Sequence, residues 1–174
     1  SIERLHDPFL MADMDLAVKR IISALRNREV ILIHGDYDAD GICATALLSS
    51  KLSQWGSKVY WFIPDRFVDG YGVSMRAINA ARSVGATLMI TCDCGITSYK
   101  EVEYARSLGI DTVIVDHHSP KGFLPNAVAI LNPKRLDCKY PFKELSATGV
   151  ALKLLCAIAD EGKFESPLDD ELCL

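Results

Sequence analysis

The chain has 174 residues, enough for one domain with its own core, and is 49% hydrophobic and 24% charged, as an ordinary globular protein is. No apolar run approaches the roughly 18 residues that span a bilayer, and the opening SIERLHDPFL lacks the layout of a signal peptide, so a cytosolic location is expected. A formal charge of −4 disfavours a strongly electrostatic nucleic-acid binder, unless bound divalent cations cancel several of the acids.

In chain order, MADMDLAVKRIISALRN has helical spacing, with Leu16, Ile21, Ile22 and Leu25 on one face. VILIH follows as a strand, then an acidic loop, then a helix from about Ile42 to Leu52. VYWFIP is a second strand, and DRFVDGYGV a loop holding Gly70 and Gly72. A helix from about Ser74 to Val84 leads through Gly85 into the strand TLMITCD. Thr97 or Ser98 caps a helix ending near Gly109. DTVIVDHH and AVAILNP read as the fourth and fifth strands, and ATGVALKLLCAIADE as a helix. Short apolar strands alternating with helices indicate βαβ units. The expected class is α/β: an open, mainly parallel five-stranded sheet with helices on both faces.

Six cysteines (Cys43, Cys92, Cys94, Cys138, Cys156 and Cys173) match no zinc spacing, since Cys92 and Cys94 form C-x-C and no second pair completes a module. They read as reduced structural thiols, with Cys43 and Cys156 inside apolar helical patterns.

The chemistry gathers where strands end. The first strand runs into His34, Asp36, Asp38 and Asp40, the third into Asp93, and the fourth into Asp116, His117 and His118. A parallel sheet delivers these ends to one edge. Each piece alone has a plainer reading: D-x-D as solvated charge, Asp40 as the cap of the helix at Ile42, the paired histidines as a satisfied turn, Asp93 as a turn residue. Together they would repel one another if bare, and divalent cations would hold them. Carboxylate with imidazole suits Mn²⁺ better than Mg²⁺ or Ca²⁺. The ligand count suggests two ions about 3.5–4 Å apart sharing an aspartate, a geometry suited to phosphoryl displacement. GDYDADG is no P-loop, and no G-x-S-x-G occurs.

HGDYDADG joined with DCGITS and VDHH resembles the DHH phosphoesterase superfamily. IPDRFVDGYGVS, LNPKRLDCKYPFKELSATGVALKLL and HDPFLMADMDLAVKRI resemble its RecJ subgroup of single-strand-specific 5′→3′ DNA exonucleases of repair and recombination. The resemblance runs from about His6 to Leu155. It implies that His34 and Asp38 hold one ion and Asp40 and His117 the other, with Asp93 bridging both. It further implies that His118 meets the scissile phosphate or supports it, with Asp36 behind the ligands and Asp116 orienting the neighbouring histidine. Two Mn²⁺ ions are expected, with Mg²⁺ as an alternative. The family's last aspartate and its second, DHHA1-type domain have no counterpart in residues 1–174, where Asp160, Asp169 and Asp170 lie in no matching motif. The chain is thus expected to be a piece of a longer enzyme.

The expected reaction is metal-assisted hydrolysis of phosphodiesters in single-stranded DNA, with no membrane association and protein partners unspecified. Arg66 is weighed between the phosphate and a structural salt bridge, and Tyr71, Phe67 and Trp61 between base stacking and packing. The rivals are a phosphoesterase acting on pyrophosphate, cyclic dinucleotides or short RNA, and a non-catalytic module.

Overall fold

A computed structural model describes residues 5–169; Asp170, Cys173 and the side chain of Asp169 lie outside them. Strand and helix alternate along most of this length as α1 (Met14–Arg26), β1 (Val30–His34), α2 (Ala39–Gln54), β2 (Lys58–Phe62), α3 (Met75–Ser83), β3 (Ala86–Cys92), α4 (Tyr99–Ser107), β4 (Asp111–Val115), β5 (Ala129–Leu131) and α5 (Ala147–Gly162). The five strands form one sheet in the order β2-β1-β3-β4-β5. Every pairing among the described strands is parallel, in line with the expected open, mainly parallel sheet. No described helix is long and apolar enough to cross a membrane.

Side chains alternate across a strand, and the two faces of β1 show it. Ile31 and Ile33 pack with α1, α2 and α5, whereas Leu32 packs with Ile78 and Ala81 of α3 and Ala105 of α4. Covering both faces is what makes the central strands nearly continuous apolar runs. Strand β2, at the edge, is only half buried.

Four local expectations are corrected. Leu16 is 45% exposed; the buried stripe of α1 is instead Met14, Ala17, Val18, Ile21, Ile22, Ala24 and Leu25. Helix α2 begins at Ala39, and its cap is Asp38, whose carboxylate accepts the Gly41 N–H at 3.0 Å. Asp40 already lies inside the first turn and is free for tertiary work. Ser98 sits at the cap position of α4, but its hydroxyl accepts the Val73 N–H at 3.1 Å. Of the cysteines, Cys92, Cys94 and Cys138 are buried free thiols, while Cys43 is exposed and so is not the small core hydrophobe its pattern implied.

The acidic loop turns back tightly onto α2. A methyl group on Gly41 would come within 2.6–2.8 Å of the N, O and Cα of Asp36. Alanine normally improves a helix over glycine by about 1 kcal/mol, but here the neighbour is backbone and cannot yield. Gly41→Ala is therefore expected to destabilise by about 1–3 kcal/mol, read as a lower urea midpoint. A raised midpoint would show that the loop does not press on α2 in solution.

Candidate metal centre

The sheet order reverses between β1 and β3: the chain runs outward from β1 to β2, then returns past β1 to β3. Crevices at such switch points, beyond the carboxyl ends of the strands, are where open α/β sheets bind ligands. The strands ending in His34, Cys92 and Val115 are adjacent (β1, β3, β4), so the residues just after them meet.

Asp93 is at the centre. It follows β3 with φ +62°, a left-handed conformation that costs an L-residue roughly 1–2 kcal/mol, although aspartate tolerates it better than most. Its N–H donates to the Val115 carbonyl at 2.9 Å, which fixes it to β4. The side chain is buried, and Oδ1 has no hydrogen-bond donor in good geometry although His117 Nε2 lies 3.0 Å away. Burial, a hydrogen bond with the Asp38 carboxyl, and the charges of Asp38 and Asp40 push its pKa up to about 8. Although His117 and His118 stand beside it, burial and the neighbouring carboxylates outweigh them, and an excess of negative charge is the condition a divalent ion relieves.

Two groups of side chains bring ligand atoms within 4.8 Å of one another: Asp93 with His117 and His118, and Asp36 with Asp38 and Asp93. Asp93 belongs to both. Burial, with Asp38 nearby, also raises the pKa of Asp36. Asp40, expected as a ligand, belongs to neither group; its Oδ2 lies 3.7 Å from His117 Nε2, while its carboxylate is held by the start of α5. Burial pulls its pKa up, but bonds from the Thr148 hydroxyl and from the N–H groups of Thr148 and Ala147 outweigh this and leave it lowered.

Asp116 is fully buried and faces the protein. It accepts the N–H groups of Ile96 (3.0 Å), His117 (2.7 Å) and His118 (3.1 Å), and pairs with His118 Nδ1 at 2.8 Å. That last contact raises the pKa of His118. The ring of Tyr71 stands edge-on to His118 with centroids 5.7 Å apart.

His34 lies behind these groups. Its Nε2 accepts the Ser74 N–H at 3.0 Å, Cys94 Sγ is 3.6 Å from Nδ1, and burial lowers its pKa to about 4. The structure does not bring its ring nitrogens into either ligand group; a ligand role requires Nε2 to release Ser74. Ser74 is itself held by Asp69 at 2.8 Å. Arg66 is exposed and lies over the ring of Tyr37 at 5.5 Å, in a cation–π contact rather than the salt bridge weighed for it. Phe67 is 95% and Trp61 66% exposed, so neither is packed in the core.

Sequence reasoning gave no role to Ser74, Asp69, Cys94 or Thr148. Asp69 and Ser74 lie in the quoted stretch IPDRFVDGYGVS and Thr148 in SATGVALKLL. The latter stretch carries a helix-start signal, Ser146 accepting from Gly149 N–H at 3.2 Å. Nothing local in that signal pointed to Asp40.

These features define a parallel α/β domain with a carboxylate–imidazole cluster at its switch point, a donor set of the kind that suits divalent cations. The chain belongs to the DHH family: the model of that family's N-terminal domain matches residues 30–173. It is 43% identical over 167 residues to the single-stranded-DNA-specific exonuclease RecJ of Bacillus subtilis (strain 168), spanning 96% of this chain and 20% of that protein. To the RecJ of Escherichia coli (strain K12) it is 41% identical over 160 residues, or 89% of this chain and 28% of that one. The chain thus spans well under a third of the length of these relatives. Among solved structures, exonuclease RecJ bound to manganese superposes with a TM-score of 0.82 at 32% identity, covering 91% of this chain and 40% of that one. RecJ in complex with Mn²⁺ from Thermus thermophilus gives 0.76 at 30% identity, covering 91% and 22%.

Proposed function

We propose that the chain is the N-terminal catalytic domain of a Mn²⁺-dependent, cytoplasmic exonuclease that hydrolyses the phosphodiesters of single-stranded DNA. The 5′→3′ polarity is carried over from the resemblance. The observation that carries the reading is Asp93: a strained, buried carboxylate whose Oδ1 receives no hydrogen bond, shared by two converging groups of ligand atoms. Similarity to RecJ proteins, including two solved with manganese, supports both the substrate class and the ion.

In this reading Asp38 and Asp93, with Asp36 behind them and His34 once released from Ser74, hold one ion. Asp93, His117 and Asp40 hold the second. Bound there, divalent cations supply acidity to water and positive charge beside a phosphoryl group. The protein's part is positional. Asp116 fixes His118 through Nδ1 and leaves the other ring nitrogen to donate to a phosphate oxygen, where charge accumulates. Arg66 and the exposed Phe67 are assigned to the phosphates and bases of the incoming strand.

The test is nucleotide release from end-labelled single-stranded DNA by the enzyme carrying this chain, with Mn²⁺ present. Asp93→Ala is expected to lower the rate by at least about a hundredfold, as removing one key electrostatic group does. Unchanged cleavage in the variant would refute the site. Hydrolysis of inorganic pyrophosphate without attack on DNA would refute the substrate.

A further inference from the structure

Asp40 and the start of α5 meet although 107 residues separate Asp40 from Ala147. Oδ2 of Asp40 accepts the Ala147 N–H at 2.8 Å, and Oδ1 accepts both the Thr148 N–H at 2.9 Å and the Thr148 hydroxyl at 2.6 Å. The hydroxyl also lies 3.0 Å from the Asp40 carbonyl, but it has one hydrogen, and the shorter contact to a charged oxygen takes it.

The first N–H groups of a helix have no partner within it, so as a plain structural device Asp40 caps α5 from outside. That role would be met by the two N–H bonds. The hydroxyl adds something else. An ionised carboxylate offers about four acceptor positions, two on each oxygen. Three are filled, both of those on Oδ1 among them. The free position is on Oδ2, the oxygen that lies 3.7 Å from His117 Nε2.

We propose that Thr148 is a specificity-determining positioning residue: by filling Oδ1 it restricts Asp40 to binding the ion beside His117 through one oxygen, and so disfavours Ca²⁺ relative to Mn²⁺. This rests on the metal-centre reading above. Ca²⁺ takes more oxygen ligands at longer distance and draws on two-oxygen chelation by carboxylates, whereas smaller ions are satisfied by single-oxygen contacts in a six-ligand shell. With Oδ1 occupied, the chelating mode is closed while the single contact on the His117 side stays open.

The experiment loads this chain with Mn²⁺, which broadens the imidazole NMR signals of His117, and titrates Ca²⁺ until those signals return. Thr148→Val keeps the shape of the side chain and removes the hydroxyl. It is expected to shift the Mn²⁺-to-Ca²⁺ affinity ratio toward Ca²⁺ by about tenfold, the scale of effects from groups that hold a ligand. Thr148→Ser is expected to keep the original ratio, and Thr148→Ala to reproduce the valine result should valine crowd the turn. Equal weakening of both ions, with the ratio unmoved in Val and Ala variants that melt cooperatively, would reduce Thr148 to a structural cap and overturn the assignment while leaving the metal centre intact. No broadening of His117 in the unsubstituted chain would overturn the metal centre, and this inference with it.

Discussion

Asp93→Asn is expected to flatten the pH dependence of the metal-free chain's stability and to abolish its stabilisation by Mn²⁺. The Asp93 pKa is raised to about 8 in the fold, against about 4 in an unfolded chain. Below pH 4 both states hold the proton. Between pH 4 and 8 the folded state holds it and the unfolded state does not, so stability falls as pH rises through that window, by up to about 1.4 kcal/mol per unit. Asparagine has no proton to lose, tolerates positive φ, and removes the charge that Asp38 and Asp40 oppose. The variant should therefore match or exceed the unsubstituted chain at pH 8 without metal. Mn²⁺ acts in the opposite sense in the unsubstituted chain. The ion would replace the proton, and its stabilisation is expected to grow as pH approaches 8, reaching about 2.7 kcal/mol at a hundred times the dissociation constant. Melting curves of both chains from pH 5 to 8.5, with and without Mn²⁺, decide the matter. An equal Mn²⁺ response in the variant would show that Asp93 is no ligand.

Asp116→Ala should cause the largest loss of stability among single changes at this edge of the sheet. It removes the acceptor for the backbone N–H groups of Ile96, His117 and His118 and the partner of the His118 ring, all at a position with no solvent exposure. Breaking one partner of such a buried set costs about 3–5 kcal/mol, which for a domain of this size lowers the melting temperature by roughly 10 °C. Asp116→Asn retains an acceptor oxygen but loses the charge, and should fall between the two. It also returns the His118 pKa toward its ordinary value, since the Asp116 contact is the main cause of the rise. A melting temperature for the alanine variant within about 2 °C of the original would mean that the turn finds other acceptors.

The neighbourhood of these two residues shows what could be read in advance. The strand VILIH and the helix ATGVALKLLCAIADE are each found within a residue or two of where they were expected, because continuous apolar runs and helical periodicity are local consequences of burial. Asp38 and Asp40 defeated local reading. Either could cap a helix, and only the backbone φ/ψ of the loop made Asp38 the cap and carried Asp40 into the first turn. Cys43 was likewise misjudged, since an apolar pattern does not say which turn of a helix reaches solvent.

Fold class, the strand ends that carry acids and imidazoles and, through its motifs, the family are all legible in the amino-acid string, since each is written in short contiguous stretches. The tertiary structure alone decided which strands are neighbours, and hence that β1, β3 and β4 pool their ends at the switch point. It also decided the partners of each group: Ser74 and Cys94 for His34, Ile96 for Asp116, Thr148 for Asp40. Those contacts join residues 20 to 108 positions apart. They exist because sheet order and helix packing close the chain on itself, and no local pattern records that closure.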